Sequence, residues 1–129
     1  MNKSITITGI ILAIIAVVLG AFAAHGLKSI ITAESLRSFE TGVRYQMYHA
    51  LFLLILPHIT YISAIQKKRV YYFILAGLIL FSGSIYVLAT NNLTSIDFRP
   101  FGIVTPVGGL LIITGWLLLL VYVLRNRAK

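Results

Sequence analysis

Four apolar stretches constrain this chain more than any other feature: Ile5 to Ala24, Met47 to Ile65, Val70 to Thr90 and Ile103 to Leu124. A helix needs about 20 apolar residues to cross some 30 Å of hydrocarbon, and each stretch comes close to that length. The whole chain has 129 residues, of which 59% are hydrophobic and 11% charged. A soluble domain is typically about half apolar and a quarter charged, so one core of this size could not hide the excess from water. The expectation is a single all-α membrane domain over residues 1–129, a bundle of four transmembrane helices. Pro57 breaks the second stretch, and Pro106 falls in the first turn of the fourth, where proline costs a helix least. Lys3 followed by an apolar run and Ala21-Phe22-Ala23 could be read as a signal peptide. The run is longer than a usual signal core, and its small residues have another use, so a retained span is expected.

Orientation follows from the basic residues. Lys3, Lys67, Lys68, Arg69, Arg125, Arg127 and Lys129 fall on one side, and Lys28, Arg37, Arg44 and Arg99 on the other. Positive charge marks the cytoplasmic face, which places both termini in the cytoplasm. Tyr61, Tyr71, Tyr72 and Tyr122 then form an inner aromatic belt. A tight turn at Gln66–Arg69 would make the second and third spans antiparallel neighbours.

Small residues recur at helical spacing in three spans: Gly9, Ala13, Ala16, Gly20 and Ala24 in the first, Ala76/Gly83 and Gly77/Ser84 in the third, and Gly108/Gly115 in the fourth. Lipid gives helices no hydrophobic reason to associate, so close approach through small residues is what packs such bundles. The first outer loop carries Leu36, Phe39, Val43 and Met47 at steps of three and four, the signature of a short amphipathic helix. Thr32 is its expected N-cap, with Arg37–Glu40 and Glu40–Arg44 as ion pairs along it, and it should run from about Ala33 into the second span.

On this topology the unusual polar residues gather in the outer half. His25, Arg44, Tyr45, Gln46, His49, Ser82, Ser84, Tyr86 and Thr105 come from four helices, whereas the inner half is aliphatic, aromatic and then basic. Polar groups in hydrocarbon face the bundle interior, where they find partners. The cluster is therefore either a structural hydrogen-bond network or an outward-facing polar pocket. His25 and His49 could face each other, but zinc usually takes four ligands and no third is evident, so no metal or other cofactor is expected. His58 cannot share a face with His49, and a kink at Pro57 with His58 bonding locally is expected.

Other chemistry is thinly represented. Glu34, Glu40 and Asp97 are the only acids, all in outer loops, which argues against a carboxylate-driven pump and against paired-carboxylate hydrolysis. There is no cysteine, hence no thiolate site, and no phosphate-binding glycine motif. The net charge of +8 sits at span ends, and no segment outside the membrane is long enough to read nucleic acid.

The run Gly20-Ala21-Phe22-Ala23-Ala24-His25-Gly26-Leu27 resembles the GAFGAHGL signature of a family of small bacterial membrane proteins, domain-of-unknown-function family 423, which has a related transmembrane protein in animals. Thr41 to Ala50, Phe81 to Tyr86, and Thr105 to Gly109 with Gly115-Trp116 are similar to its later blocks, in order. Ala23 stands where the pattern has glycine, a small-for-small change. The resemblance implies a multi-pass plasma-membrane protein and implies no activity. Three functions stay open: a non-enzymatic accessory, scaffold or lipid-binding protein; a small-molecule carrier or channel using the outer cluster; and an outer-leaflet enzyme with a serine beside a histidine. Partners expected are membrane lipid and a larger membrane complex or a second copy.

Overall fold

The computed structural model describes residues 1–126; Arg127 and Lys129, part of the expected cytoplasmic charge, lie outside the described residues. Those described residues form four long helices: α1 (Asn2–His25), α2 (Ala33–Ile55), α3 (Ala64–Ala89) and α4 (Val104–Arg125). α1, α3 and α4 are each long and apolar enough to cross a membrane. α2 is as long as they are, but its first half carries Glu34, Arg37, Glu40 and Arg44.

α1 and α2 form one antiparallel hairpin, α3 and α4 another, and the hairpins meet along α2 and α3. The core follows that seam: Ile5 with Phe52, Leu53 and Leu56, then Val70, Ile74 and Leu78. The flanking helices α1 and α4 leave Ile7, Ile14, Val18, Leu110, Leu117 and Leu124 exposed. An apolar surface of that extent suits lipid rather than water.

Small residues set the packing distances. A Cβ on Gly77 would sit 2.7 Å from the Ile112 nitrogen, and one on Gly108 would strike the Phe81 nitrogen. α3 and α4 therefore touch backbone to backbone, as small-residue packing in membranes allows. Gly9 plays the same part between α1 and α2, where a Cβ would lie 2.9 Å from the Ala50 carbonyl oxygen. Two expected members of these stripes differ. Ala24 is exposed and Ala23 is buried in its place. Gly83 has open space around it, so it does not mark a helix contact.

The connection between α1 and α2 behaves as its periodicity predicts. Leu27 plugs the turn with no exposed surface, the Thr32 hydroxyl caps α2 by accepting from the Ser35 N–H at 3.1 Å, and the amphipathic segment runs on without a break. Its expected ion pairs do not form: Arg44 donates to the Thr41 hydroxyl instead (2.9 Å), and Arg99–Asp97 is the one salt bridge among the described residues.

The connection between α2 and α3 corrects the sequence reading. α2 stops at Ile55 and a short 3-10 turn follows over Leu56–His58, so Pro57 ends the helix instead of kinking it. The loop occupies 59–63, and α3 starts at Ala64, which places Gln66–Arg69 inside a helix. The physical reason is a capping box. Ser63 accepts from the Gln66 N–H (3.2 Å), while the Gln66 side chain accepts from the Ser63 N–H (3.0 Å). Lys67 then reaches back to donate to the Pro57 carbonyl at 2.7 Å. No hydrogen bond from the His58 ring appears among the described residues; the local bond expected there is replaced by this lysine contact.

The connection between α3 and α4 contains two 3-10 turns, Asn91–Leu93 and Arg99–Phe101. Asn91 accepts from the Phe98 N–H (2.7 Å), and Asp97 accepts from the Arg99 N–H and Nε, both at 3.0 Å. The Arg99 guanidinium, held there, keeps the Asp97 carboxyl well below the usual carboxylate range.

Candidate functional site

Gln46 is the centre of the polar residues. It is buried (4% exposed), and its Nε2 donates to the Leu12 carbonyl at 2.8 Å. The Tyr86 hydroxyl donates to its Oε1 at 2.6 Å. Beside it Ser82 donates to the Gly42 carbonyl at 2.8 Å. Three helices, α1, α2 and α3, are thus joined through one amide. Leu12 stands near the middle of α1, so Gln46 lies at mid-height, deeper than the outer half in which its sequence position places it. Helix α2 starts at Ala33, as its amphipathic turns predict, and packs along α1 from there.

His49 is buried one turn further in. Its Nδ1 lies 2.7 Å from the Tyr45 carbonyl, which can only accept, and its Nε2 lies 3.0 Å from the Trp116 indole N–H, which can only donate. Together the two bonds specify a neutral ring protonated at Nδ1. Both nitrogens are occupied, and the bond to Trp116 ties α2 to α4. Phe52 packs at a tilt against the same indole, ring centroids 4.4 Å apart. The third link is Ser84 with Thr105, hydroxyl to hydroxyl at 2.5 Å, between α3 and α4.

Of the nine candidate residues, then, Gln46, Ser82 and Tyr86 meet, Ser84 meets Thr105, and His49 finds Trp116 rather than another candidate. Tyr45 is exposed and packs on Phe81 at 5.2 Å. His25 and Arg44 are exposed at the surface. No serine hydroxyl is hydrogen-bonded to a histidine among the described residues; Ser82 and Ser84 spend their hydroxyls on Gly42, Phe81 and Thr105. No three histidine or acidic side chains among the described residues come together where they could hold a metal ion.

Sequence reasoning missed Trp116 as a partner, although a tryptophan N–H in a span must find an acceptor. It also missed a contact between the starts of α1 and α3, the Thr8 and Tyr71 hydroxyls 2.8 Å apart.

Space near these groups is small. A groove of about 200 Å³ lies over Gln46, walled by Leu12, Ile15, Leu78 and Ile79. A cavity of about 270 Å³ beside the start of α2 is lined by Glu34, Ser35, Ser38, Ile85, Leu88 and Thr105, so only one candidate residue reaches it. Ligand pockets typically measure about 300–1,000 Å³. Among the described residues no buried side-chain nitrogen or oxygen lacks a partner.

Comparison with known proteins agrees with the blocks noted in the sequence. The model of a family described as "Protein of unknown function (DUF423)" matches residues 19–109. A UPF0382 membrane protein of Staphylococcus saprophyticus is 42% identical over 92% of this chain and 95% of its own. The UPF0382 membrane protein YwdK of Bacillus subtilis is 38% identical over 92% and 94%. The UPF0382 inner membrane protein YgdD of Escherichia coli is 37% identical over 88% and 83%. No solved structure matches. With a family match through its middle and relatives of this identity along nearly its full length, the chain belongs to the DUF423 (UPF0382) family of membrane proteins, whose function is unknown.

Proposed function

We propose that this protein is a non-catalytic module of the bacterial plasma membrane, an accessory or scaffold protein that crosses the bilayer four times with both termini in the cytoplasm. Antiparallel packing of α2 between α1 and α3 supports the fourth crossing: Gln46 is level with Leu12, and Ala50 with Gly9. The single observation that carries the non-catalytic reading is that, among the described residues, every buried side-chain nitrogen and oxygen already has a partner within the protein. Gln46, His49 and Ser82 are buried and each is already bonded to another helix. A carrier or an enzyme needs polar groups left free for its substrate. This geometry supports a network that joins the helices, while the apolar outer faces of α1 and α4 are available to lipid and to a larger membrane assembly or a second copy.

Mild detergent extraction from native membranes, followed by size analysis, tests this reading. The protein should migrate with a larger assembly; a lone, monodisperse monomer overturns the accessory role. The chain has no native cysteine, so single-cysteine labelling reads the topology cleanly. Cysteine at Ser29 or Thr94 should react in intact cells and cysteine at Thr60 only after permeabilisation. Labelling of Thr60→Cys from outside inverts the orientation.

A further inference from the structure

Charge is divided unequally between the two ends of the bundle. Glu34 and Glu40 lie in the first half of α2 and Asp97 in the α3–α4 connection, all at one end. The other end is formed by the start of α1, the α2–α3 connection and the end of α4. There the Asn126 amide donates to the Gln66 side chain at 2.6 Å and to the Tyr61 carbonyl at 3.0 Å. This end carries Lys3, Lys67, Lys68, Arg69 and Arg125 and no acidic side chain. His58 can only add to that charge, and the charges of the two chain ends cancel. From Glu40 to Ile55, where α2 reaches this end, the helix rises about 22 Å.

Two of these cations stand over an apolar groove. Tyr72, Phe73 and Ala76 follow Arg69 by three, four and seven residues, so the four share one side of α3. On α4, Leu111 and Arg125 are close to four turns apart and share a side as well. Tyr72, Phe73, Ala76 and Leu111 wall a groove of about 210 Å³ between the two helices. Arg69 lies one turn beyond Gln66, and Arg125 adjoins Asn126, its bonded partner. Arg69, Tyr72 and Arg125 are all exposed. Among the described residues neither guanidinium has a carboxylate within 4 Å, and neither these nor the Tyr72 hydroxyl makes a hydrogen bond. From Val70 to Thr90 the rise is about 30 Å, the thickness of the hydrocarbon. The boundary thus falls at Arg69, and Ala76 lies about 10 Å below it, short of the mid-plane at about 15 Å. Leu111 reaches the same depth, since its neighbour Ile112 meets Gly77. The whole groove therefore lies within one leaflet.

We propose that this groove seats one anionic phospholipid in the leaflet on the side of the α2–α3 connection. Its phosphodiester is held by Arg69, Arg125 and the Tyr72 hydroxyl, and an acyl chain lies against Phe73, Ala76 and Leu111. A guanidinium presents a fork of N–H donors that matches phosphate oxygens. Five basic side chains with no acid among them favour a headgroup of net negative charge over a zwitterionic one. The depth of the groove calls for a tail below that headgroup, which separates a lipid from a free anion. A second copy in the same orientation would bring like charges together at this end, so lipid suits the face better. Basic residues at span ends also set topology, but that role needs no groove beneath them. The site uses only α3 and α4, so it stands apart from the crossing by α2 and from the accessory role.

The test uses the full-length protein in detergent, with phosphatidylglycerol or phosphatidylcholine of identical acyl chains added and retention read by native mass spectrometry. The wild type should keep phosphatidylglycerol at least about fivefold better. Arg69→Gln with Arg125→Gln should abolish that preference at unchanged helicity. Lys3→Gln with Lys28→Gln removes as much charge from α1 and the turn after it, which pack on α2 and not on α4, and should leave the preference in place. Ala76→Phe fills the groove and should lower retention of both lipids. Equal retention of the two lipids by the wild type, or an arginine variant that keeps the preference, overturns the proposal. A lysine variant that loses the preference overturns it in favour of overall charge. Unchanged retention in Ala76→Phe overturns the placement of the tail. Displacement of phosphatidylglycerol by millimolar inorganic phosphate overturns the proposal in favour of a free-anion site. A dimer that depends on the arginines overturns it in favour of a second copy.

Discussion

Gln46→Leu asks whether the central amide is a strut or a binding group. Leucine nearly matches glutamine in volume, so the packing of α2 against α1 and α3 should survive. Two interhelical hydrogen bonds disappear, one to the Leu12 carbonyl and one from the Tyr86 hydroxyl. Each such bond in a membrane averages about 0.6 kcal/mol and reaches about 1.7. The Leu12 carbonyl keeps its helical partner, whereas the Tyr86 hydroxyl is left to find another, which adds to the cost. Gln46→Leu should therefore destabilise by about 1–3 kcal/mol, and Tyr86→Phe by about 0.6–1.7 kcal/mol. Because the two side chains share a bond, the double variant should cost less than the sum, with a coupling energy of about 0.6–1.7 kcal/mol. Reversible unfolding in mixed micelles, followed by helicity, measures all four states. A coupling energy indistinguishable from zero refutes the strut. So does loss of a transport or binding activity in Gln46→Leu at unchanged stability, which instead makes the amide a ligand group.

Three further perturbations address the packing and the loops. Gly108→Val should push α4 off α3 and cost about 1–3 kcal/mol or more, since the new side chain meets Phe81 backbone that cannot yield. Gly83→Ala, with open space around it, should be neutral or stabilising by up to about 1 kcal/mol in the same micelle titration. Ser63→Ala removes half of the capping box and should cost about 1 kcal/mol, with faster hydrogen exchange at the Gln66 amide as its local sign. The Asp97 carboxyl is held low in the folded chain, so its contribution is fully present above the ordinary carboxylate pKa and is lost as pH falls through the lower folded value. Exchange at the Arg99 amide should thus stay slow from neutral pH down through that ordinary range and quicken only in stronger acid, whereas Asp97→Ala should quicken it at every pH.

The parts of the fold legible in the sequence were those that local physics decides. Span length, the amphipathic turns before Met47, the Thr32 cap and the small residues Gly9, Gly77 and Gly108 can all be read from spacing alone. The α2–α3 connection was misjudged because charge outweighed capping. Lys67, Lys68 and Arg69 look like a loop, but Ser63-Ala64-Ile65-Gln66 already spells a capping box, and lysine at an interface can send its amine back to a carbonyl such as that of Pro57. Five of the nine candidate residues, Gln46, His49, Ser84, Tyr86 and Thr105, hydrogen-bond to a side chain on another helix. Their grouping was not legible, because it depends on the register between helices. Placing His49 against Trp116 requires knowing that residues 67 apart share a level.

That register also bears on the difference between Gln46 and Arg44. They are two residues apart on one helix, and on the four-span reading both carry polar heads into a leaflet. One faces the seam and has both its nitrogen and its oxygen bonded to the protein; the other faces outward and, among the described residues, has a single hydroxyl for a partner. Hydrocarbon tolerates neither head unpaired, so what the chain does not supply to Arg44 must come from its surroundings. The inward polar residues are accounted for by the fold, and the outward arginines are not. The interactions of this protein with its surroundings should therefore be sought first at its outward arginines.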